Sequence, residues 1–240
     1  QWIDYEYDLN GESAVYEFEC IDVCGNISQK SSYKVTPDNT NNLADENSNN
    51  AEKPVNWEFT DIDHIEYTIT GNSIRITGFD NTVENLVIPD KIEGLPVTVI
   101  DWYAFENCYN LKSVTIPDTV THISRFAFAH CVNLEEIVFS RNLESIGENA
   151  FLKCQRIKEL NFPNSLKVIG KGAFGRCSSV RKLIFPPQIK RISDLSFYAC
   201  RNLNRGVISD SVESIGNAAF SEGEGLKKII ISESDMSIGE

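Results

Sequence analysis

The groups in this 240-residue chain best suited to chemistry are its seven cysteines, Cys20, Cys24, Cys108, Cys131, Cys154, Cys177 and Cys200. The last five are each separated by 23 residues. Thiols at a fixed interval have three readings: a metal ladder, a disulfide series, or a column of small buried side chains. Stacked layers ~4.8 Å apart would bring successive thiols within bridging reach. A structural zinc site, however, gathers its ligands as C-x2–4-C with a matching second pair, which one Cys per 23 residues does not supply. Each of the five follows an Ala-Phe or Ser-Phe pair by two residues, as in Ala150-Phe151-Leu152-Lys153-Cys154. Those apolar neighbours favour the third reading, so free thiols are expected, with neither metal nor cofactor.

The other chemical groups are sparse. His64, His122 and His130 are the three histidines, and the chain contains no G-x-S-x-G, no H-E-x-x-H and no phosphate-cradling glycine loop. No catalytic residue is expected, and His122 and His130 are placed on a solvated edge. Residues 153–205 hold twelve Lys and Arg against only Glu159 and Asp194, within a chain of net charge −13. That stretch could draw polyanions such as sulfated glycans, teichoic acids or nucleic acid. A 23-residue period scatters those side chains around a coil, however, where solvation alone accounts for them.

Charge is unevenly spread. Residues 1–56 carry 3 basic and 11 acidic groups, residues 57–110 carry 2 and 10, and residues 111–240 carry 17 and 14. The total is unpromising for nucleic acid or an anionic membrane. Hydrophobic residues make up 41% and charged residues 24%, which is globular usage, and no run approaches the ~18 apolar residues of a membrane span. The chain opens at Gln1 with no basic-then-apolar leader, which reads as a mature or excised fragment.

The cysteine interval extends to everything around it. Phe105, Phe128, Phe151, Phe174, Phe197 and Phe220 share the 23-residue step, as do Ile100, Ile123, Ile146, Ile169, Ile192, Ile215 and Ile238. Five full copies run from Leu111 to Gly225. A longer one, Val83 to Asn110, carries an Ile-Glu-Gly-Leu-Pro insertion, and a partial one follows from Leu226. Periods of 20–50 residues signal solenoids. Each copy opens L-x-x-V-x-I, whose alternation makes a short strand ended by Pro117, Pro163 or Pro186. A second apolar pair follows, such as Val120 with Ile123, and Gly147, Gly170, Gly216 and Gly239 are read as flexible corners. The A-F-x-x-C step suits one short helical turn. One coil cannot bury its own apolar groups, so coils must stack.

This pattern resembles the BspA-like, or treponemal-type, leucine-rich repeat family over roughly residues 57–240. The resemblance implies a fold of class α/β repeat, a right-handed leucine-rich-repeat solenoid with 23-residue coils. It implies secreted or cell-surface bacterial proteins that bind other proteins and adhere, with no catalysis. Departures fall at Ser124, Ser193 and Asp101 in place of the corner Gly, at Gly206 in place of the strand Val, and at Gly223 in place of Cys. The fifth full coil is accordingly expected to be the loosest.

Four segments follow. Residues 1–35 form a small β segment that resembles the last strands of a bacterial immunoglobulin-like domain. Residues 36–56 are an Asn-rich linker, too poor in apolar groups to fold. Residues 57–82 hold a cap hairpin around Gly71-Asn72, and residues 83–240 are the repeats. The last coil lacks its A-F-x-x-C closure, so continuation of the chain, or a partner or second copy over that end, is expected.

Two function classes remain: an extracellular binding module for a protein or glycan, and a non-catalytic spacer or accessory domain of a larger secreted protein. On the first strand, the third and fifth residues of each copy point away from the core. In the last copies these are Lys182 and Ile184, Arg205 and Val207, and Lys228 and Ile230. Strand propensity alone explains β-branched residues there. The functional reading makes these six the candidate binding patch, suited to an acidic-rimmed partner or to self-association.

Overall fold

The computed structural model describes residues 14–21, 27–35, 62–208, 210–226, 228–230 and 237–239, with backbone alone for 14–35 and 228–230. Residues 1–56 and 57–240 are separate compact units. In the first unit, β1 (Ala14–Ile21) and β2 (Ile27–Val35) pair antiparallel from Ala14 opposite Val35, with a register shift at Cys20/Ile21. Cys24 and the Asn-rich stretch 36–56 lie outside the described residues.

The second unit is a β-solenoid of about seven turns. It begins with a hairpin of β3 (Ile65–Thr70) and β4 (Ser73–Phe79), closed by Gly71 at φ +60° and by Ser73 Oγ donating to the Thr70 carbonyl at 3.1 Å. Asn72 completes a two-residue turn, and Ile74 and Ile76 face the core fully buried. Beyond β4 the chain winds in coils that contribute two short parallel strands each, except the third full coil, which contributes only Val168–Ile169. One column runs through Asn85–Val87, Ser113–Thr115 and Glu136–Val138, and resumes at Lys182–Ile184, Arg205–Val207 and Lys228–Ile230. The other continues from β4 through Leu95–Ile100, His122–Ile123, Ser145–Ile146 and Val168–Ile169, then Arg191–Ile192, Ser214–Ile215 and Ser237–Ile238. The Glu93-Gly94 insertion makes a second tight turn, with φ of +52° and +77°.

Among the described residues the only helix is a three-residue 3-10 segment, Ile62–His64, so the α/β expectation gives way to an almost purely β coil. The reason lies in the backbone accounting of the A-F-x-x-C turn. In the coil of Phe128, the N–H groups of Ala127, Ala129 and Cys131 donate to carbonyls three residues back. Those of Phe126, Phe128 and His130 leave the coil and reach the carbonyls of Glu148, Ala150 and Leu152 at 3.0, 2.7 and 2.7 Å. An α-helix would keep every N–H on its own i−4 carbonyl. Positive φ at Phe126 and His130 breaks the helical path and turns alternate N–H groups outward. The same bonds recur from Tyr103 to Ser221.

The corner glycines serve a different purpose from the one expected. None of Gly147, Gly170 and Gly216 has positive φ. A Cβ at Gly147 would instead lie 2.7 Å from Arg125 N, and one at Gly170 2.6 Å from Glu148 N. Glycine is required because successive backbones approach too closely for a side chain.

The core is a single stack. Phe105, Phe128, Phe151, Phe174, Phe197 and Phe220 lie face to face with centroids 4.7, 5.0, 5.2, 5.6 and 5.7 Å apart, planes within 11° of parallel. Phe79 from β4 covers the first ring at 5.3 Å. Arg75 of β4 also binds Asp101 at 2.8 Å, tying the hairpin to the first coil. Ladder pairing persists at Gly206 in the fifth full coil; it is residues 157–163 of the third that contribute no strand to the first column. Phe139, Phe162 and Phe185 take the place of Ile116 there. Phe139 packs on Phe162 at 5.8 Å, and the three rings meet the central stack at 5.5 to 6.4 Å.

Phe151→Ala should lower stability by about 3–5 kcal/mol through lost burial and a cavity, read by denaturant unfolding. Gly206 is buried, has no positive φ and faces open space where a Cβ would go. Gly206→Ala should therefore raise stability by about 0.4–1 kcal/mol in the same assay.

Candidate functional site

The first strand column positions the six candidate residues. Parallel pairing sets Lys182 beside Arg205 beside Lys228, and Ile184 beside Val207 beside Ile230. Two rows, one basic and one apolar, thus run along the solenoid axis at strand spacing. Lys182, Arg205 and Ile184 are exposed, Ile184 by 51%, and Val207 is half-buried. The side chains of Lys228 and Ile230 lie outside the described residues. Further toward the N-terminus the same positions hold Glu136 and Glu159, both exposed, and Val138 and Asn161. The face therefore runs from acidic to basic.

The charges differ in how they are partnered. Glu135 binds Lys158 at 2.9 Å and stands 3.7 Å from Arg156, and the Lys158 ammonium holds its carboxyl below the usual range. Lys112 pairs with Glu84 at 2.7 Å, and Lys190 with Glu213 at 3.3 Å. Lys182 and Arg205 have no ion-pair partner among the described residues. Beside this face, where the 157–163 segment leaves the ladder, a cleft of about 440 Å³ opens between Glu136–Val138 and Lys158, Glu159 and Asn161.

The cysteine column is structural. Cys108, Cys131, Cys154, Cys177 and Cys200 are buried free thiols. The last four donate from Sγ to the carbonyls of Phe105, Phe128, Phe151 and Phe174, at 3.0 to 3.3 Å. A thiol suits the place because it is small and apolar yet still carries a weak donor for a carbonyl in the coil before. Burial pushes the Cys154 and Cys177 thiols up and lifts Cys200 to about 12. Among the described residues no cluster of three His, Cys, Asp or Glu could hold a metal ion. His122 is exposed, its Nδ1 2.7 Å from Thr121 Oγ1. His130 is half-buried with positive φ, 3.7 Å from Glu106, rather than on a solvated edge.

Sequence reasoning passed over one further group, the exposed aromatics Trp102 and Tyr103 on the first Phe-containing turn. Tyr103 stacks on Phe126 at 5.2 Å, planes 8° apart. Their signal was visible as aromatics in columns that later coils fill with Glu148, Lys171 and Asp194 at the Trp102 position and with Asn149, Gly172 and Ala218 at the Tyr103 position.

Comparison with known proteins follows the fold. The family described as the BspA type leucine rich repeat region matches residues 72–204 and 150–240. The leucine rich repeat protein of T. pallidum is similar in structure, with TM-score 0.74 and 29% identity over 76% of this chain and 86% of that one. A leucine rich cell surface protein of Faecalibacterium prausnitzii is similar at TM-score 0.63 and 27% identity, over 71% of this chain and 53% of that one. No curated protein matches in sequence. Among the described residues no helix is long and apolar enough to cross a membrane.

The thiols make stability depend on alkali. Their folded pKa values are raised, so the stability they contribute is whole below the usual thiol value of ~8.5 and is lost as pH climbs toward the folded value. Between pH 9 and about 12 the thermal midpoint should fall, and the fall should be shallower in Cys200→Ala. Iodoacetamide at pH 8 should leave the five core thiols unlabelled, by peptide mapping, until denaturant is added.

Proposed function

Because the chain belongs to the BspA-type leucine-rich repeat family, we propose that residues 57–240 are a non-catalytic binding module. It works outside the cell, secreted or at the cell surface, in adhesion. The cell-surface description of the Faecalibacterium relative supports that setting. The coil is taken as right-handed, as crossovers between parallel strands almost always are. The partner is a protein with an acidic rim, held on the first strand column. The observation that carries this reading is the registered pair of rows, Lys182–Arg205–Lys228 beside Ile184–Val207–Ile230. Exposed Ile184 and half-buried Val207 supply apolar area, and Lys182 and Arg205, which have no ion-pair partner among the described residues, supply steering and register.

The triple change Ile184→Ser, Val207→Ser and Ile230→Ser should leave the chain folded, since these positions point away from the core and Ile184 is exposed, where substitution shifts stability by about 0.5 kcal/mol or less. It should abolish capture of acidic extracellular proteins by the immobilised chain. A second variant, Lys182→Glu with Arg205→Glu, should slow association and reverse its salt dependence. Full capture by the triple-serine variant, at unchanged thermal midpoint, would remove the strand face from consideration and leave the spacer or accessory role.

A further inference from the structure

The first strand column presents two outward rows to solvent. One holds Glu136, Glu159, Lys182 and Arg205 on four successive coils, and the other Val138, Asn161, Ile184 and Val207. All four charged residues are exposed, and none has an ion-pair partner among the described residues. Their order along the solenoid is acid, acid, base, base. Such an order is its own complement when reversed. A second copy turned end for end, about a two-fold axis parallel to the strands and between the third and fourth full coils, meets the first with opposite charges throughout. Glu159 then faces Lys182 of the second copy, Glu136 faces its Arg205, and symmetry makes each contact twice.

The apolar row matches under the same operation, since exposed Val138 meets half-buried Val207 and exposed Ile184 meets Asn161. Shape agrees with charge. The cleft of about 440 Å³ beside the third full coil is lined by Glu136, Val138, Glu159 and Asn161. Those are the residues that the reversed copy places opposite Arg205, Val207, Lys182 and Ile184. The cleft thus receives two protruding aliphatic side chains while its two carboxylates receive the two cations. One position earlier on the strands, Glu135 and Lys158 bind one another at 2.9 Å, so that row adds one uncompensated charge, Arg181. A copy docked with its coils in the same order would lay each charged row over the other's apolar row. Charges would then lose water without gaining partners, which selects the reversed arrangement.

We propose that this face is the self-complementary interface of an antiparallel, two-fold dimer, so that the acidic-rimmed protein held on the strand column is a second copy of this chain. The inference rests on the strand-face reading above and names its partner. The face is narrow, with strands of three residues at ~4.8 Å spacing, which is small for a specific interface and makes the dimer a reversible one. Charge matching sets its register and makes it weaken with salt.

Sedimentation equilibrium of the full chain, over a concentration series at low and high salt, is the test. The expected result is a monomer–dimer equilibrium that shifts toward monomer as salt rises. Glu136→Lys with Glu159→Lys, and separately Lys182→Glu with Arg205→Glu, should each weaken the dimer about tenfold or more at unchanged thermal midpoint. Combining all four changes exchanges the acidic and basic halves at the parent's net charge, and should restore the dimer. For the direction of docking, a Val138→Cys chain mixed with a Val207→Cys chain should form a disulfide between positions 138 and 207 on air oxidation, read by peptide mapping, whereas neither chain alone should bridge at the new cysteine. The proposal is overturned if the chain is monomeric at every concentration and salt, if the fourfold exchange fails to restore the dimer, or if either cysteine variant alone bridges as readily as the mixture. A monomer that captures acidic proteins, and loses them on the triple-serine change, overturns this inference alone and leaves the strand-face reading standing.

Discussion

A coil of this chain cannot satisfy its own backbone. In each Phe-containing turn, alternate N–H groups point away from the chain that carries them and find carbonyls only in the next coil. Leaving them unmet in a dry interior would cost about 1–3 kcal/mol apiece. The next coil must therefore be present and in register before the first is stable. The other features follow from that dependence. Stacked phenylalanines fill the space the inter-coil bonds enclose. Glycine stands where backbones converge, and a thiol reaches back to the phenylalanine carbonyl the ladder does not use.

The same dependence explains where the two strand columns can fail without loss of the fold. Residues 157–163 leave the first column, and no ladder joins Val168–Ile169 to Arg191–Ile192 in the second, where Ser193 Oγ bonds the Ile169 carbonyl at 2.6 Å. The turn bonds run unbroken through both places, from Lys153 to Gly175 and from Arg176 to Tyr198. The strands are the adaptable part of the coil and the turns its spine. Surface ion pairs between coils, such as Lys158 with Glu135, add little in comparison, because both partners remain in water.

Much of this was legible in the residues. The 23-residue interval of Phe and Cys places both in a column, and their burial in the core follows from apolar character and repetition alone. The alternation of Val114 and Ile116 correctly puts both inside. The turn was not legible, because Ala-Phe-x-x-Cys has the spacing of one helical turn and nothing local announces that Phe126, Lys153 or Leu195 will take positive φ. That conformation is imposed by the neighbouring coil, a non-local cause. For the same reason Gly147 and Gly170 resembled hinges when they are points of contact. The exposed aromatics at Trp102 and Tyr103 were visible in the alignment of copies, but the stacking of Tyr103 on Phe126 and the positive φ at Tyr103 required coordinates.

The direction of the spine bonds has a mechanical meaning. They run along the solenoid axis, from each coil to the next, so a pull along that axis loads them one layer at a time rather than in shear. Such a stack peels open layer by layer at modest force. Each release frees 23 residues, which at ~3.3 Å per extended residue adds about 75 Å of slack while giving up only one layer of thickness. Under flow or traction the chain would behave as an extensible tether, lengthening in even steps and shortening again as coils rewind onto the layers that remain.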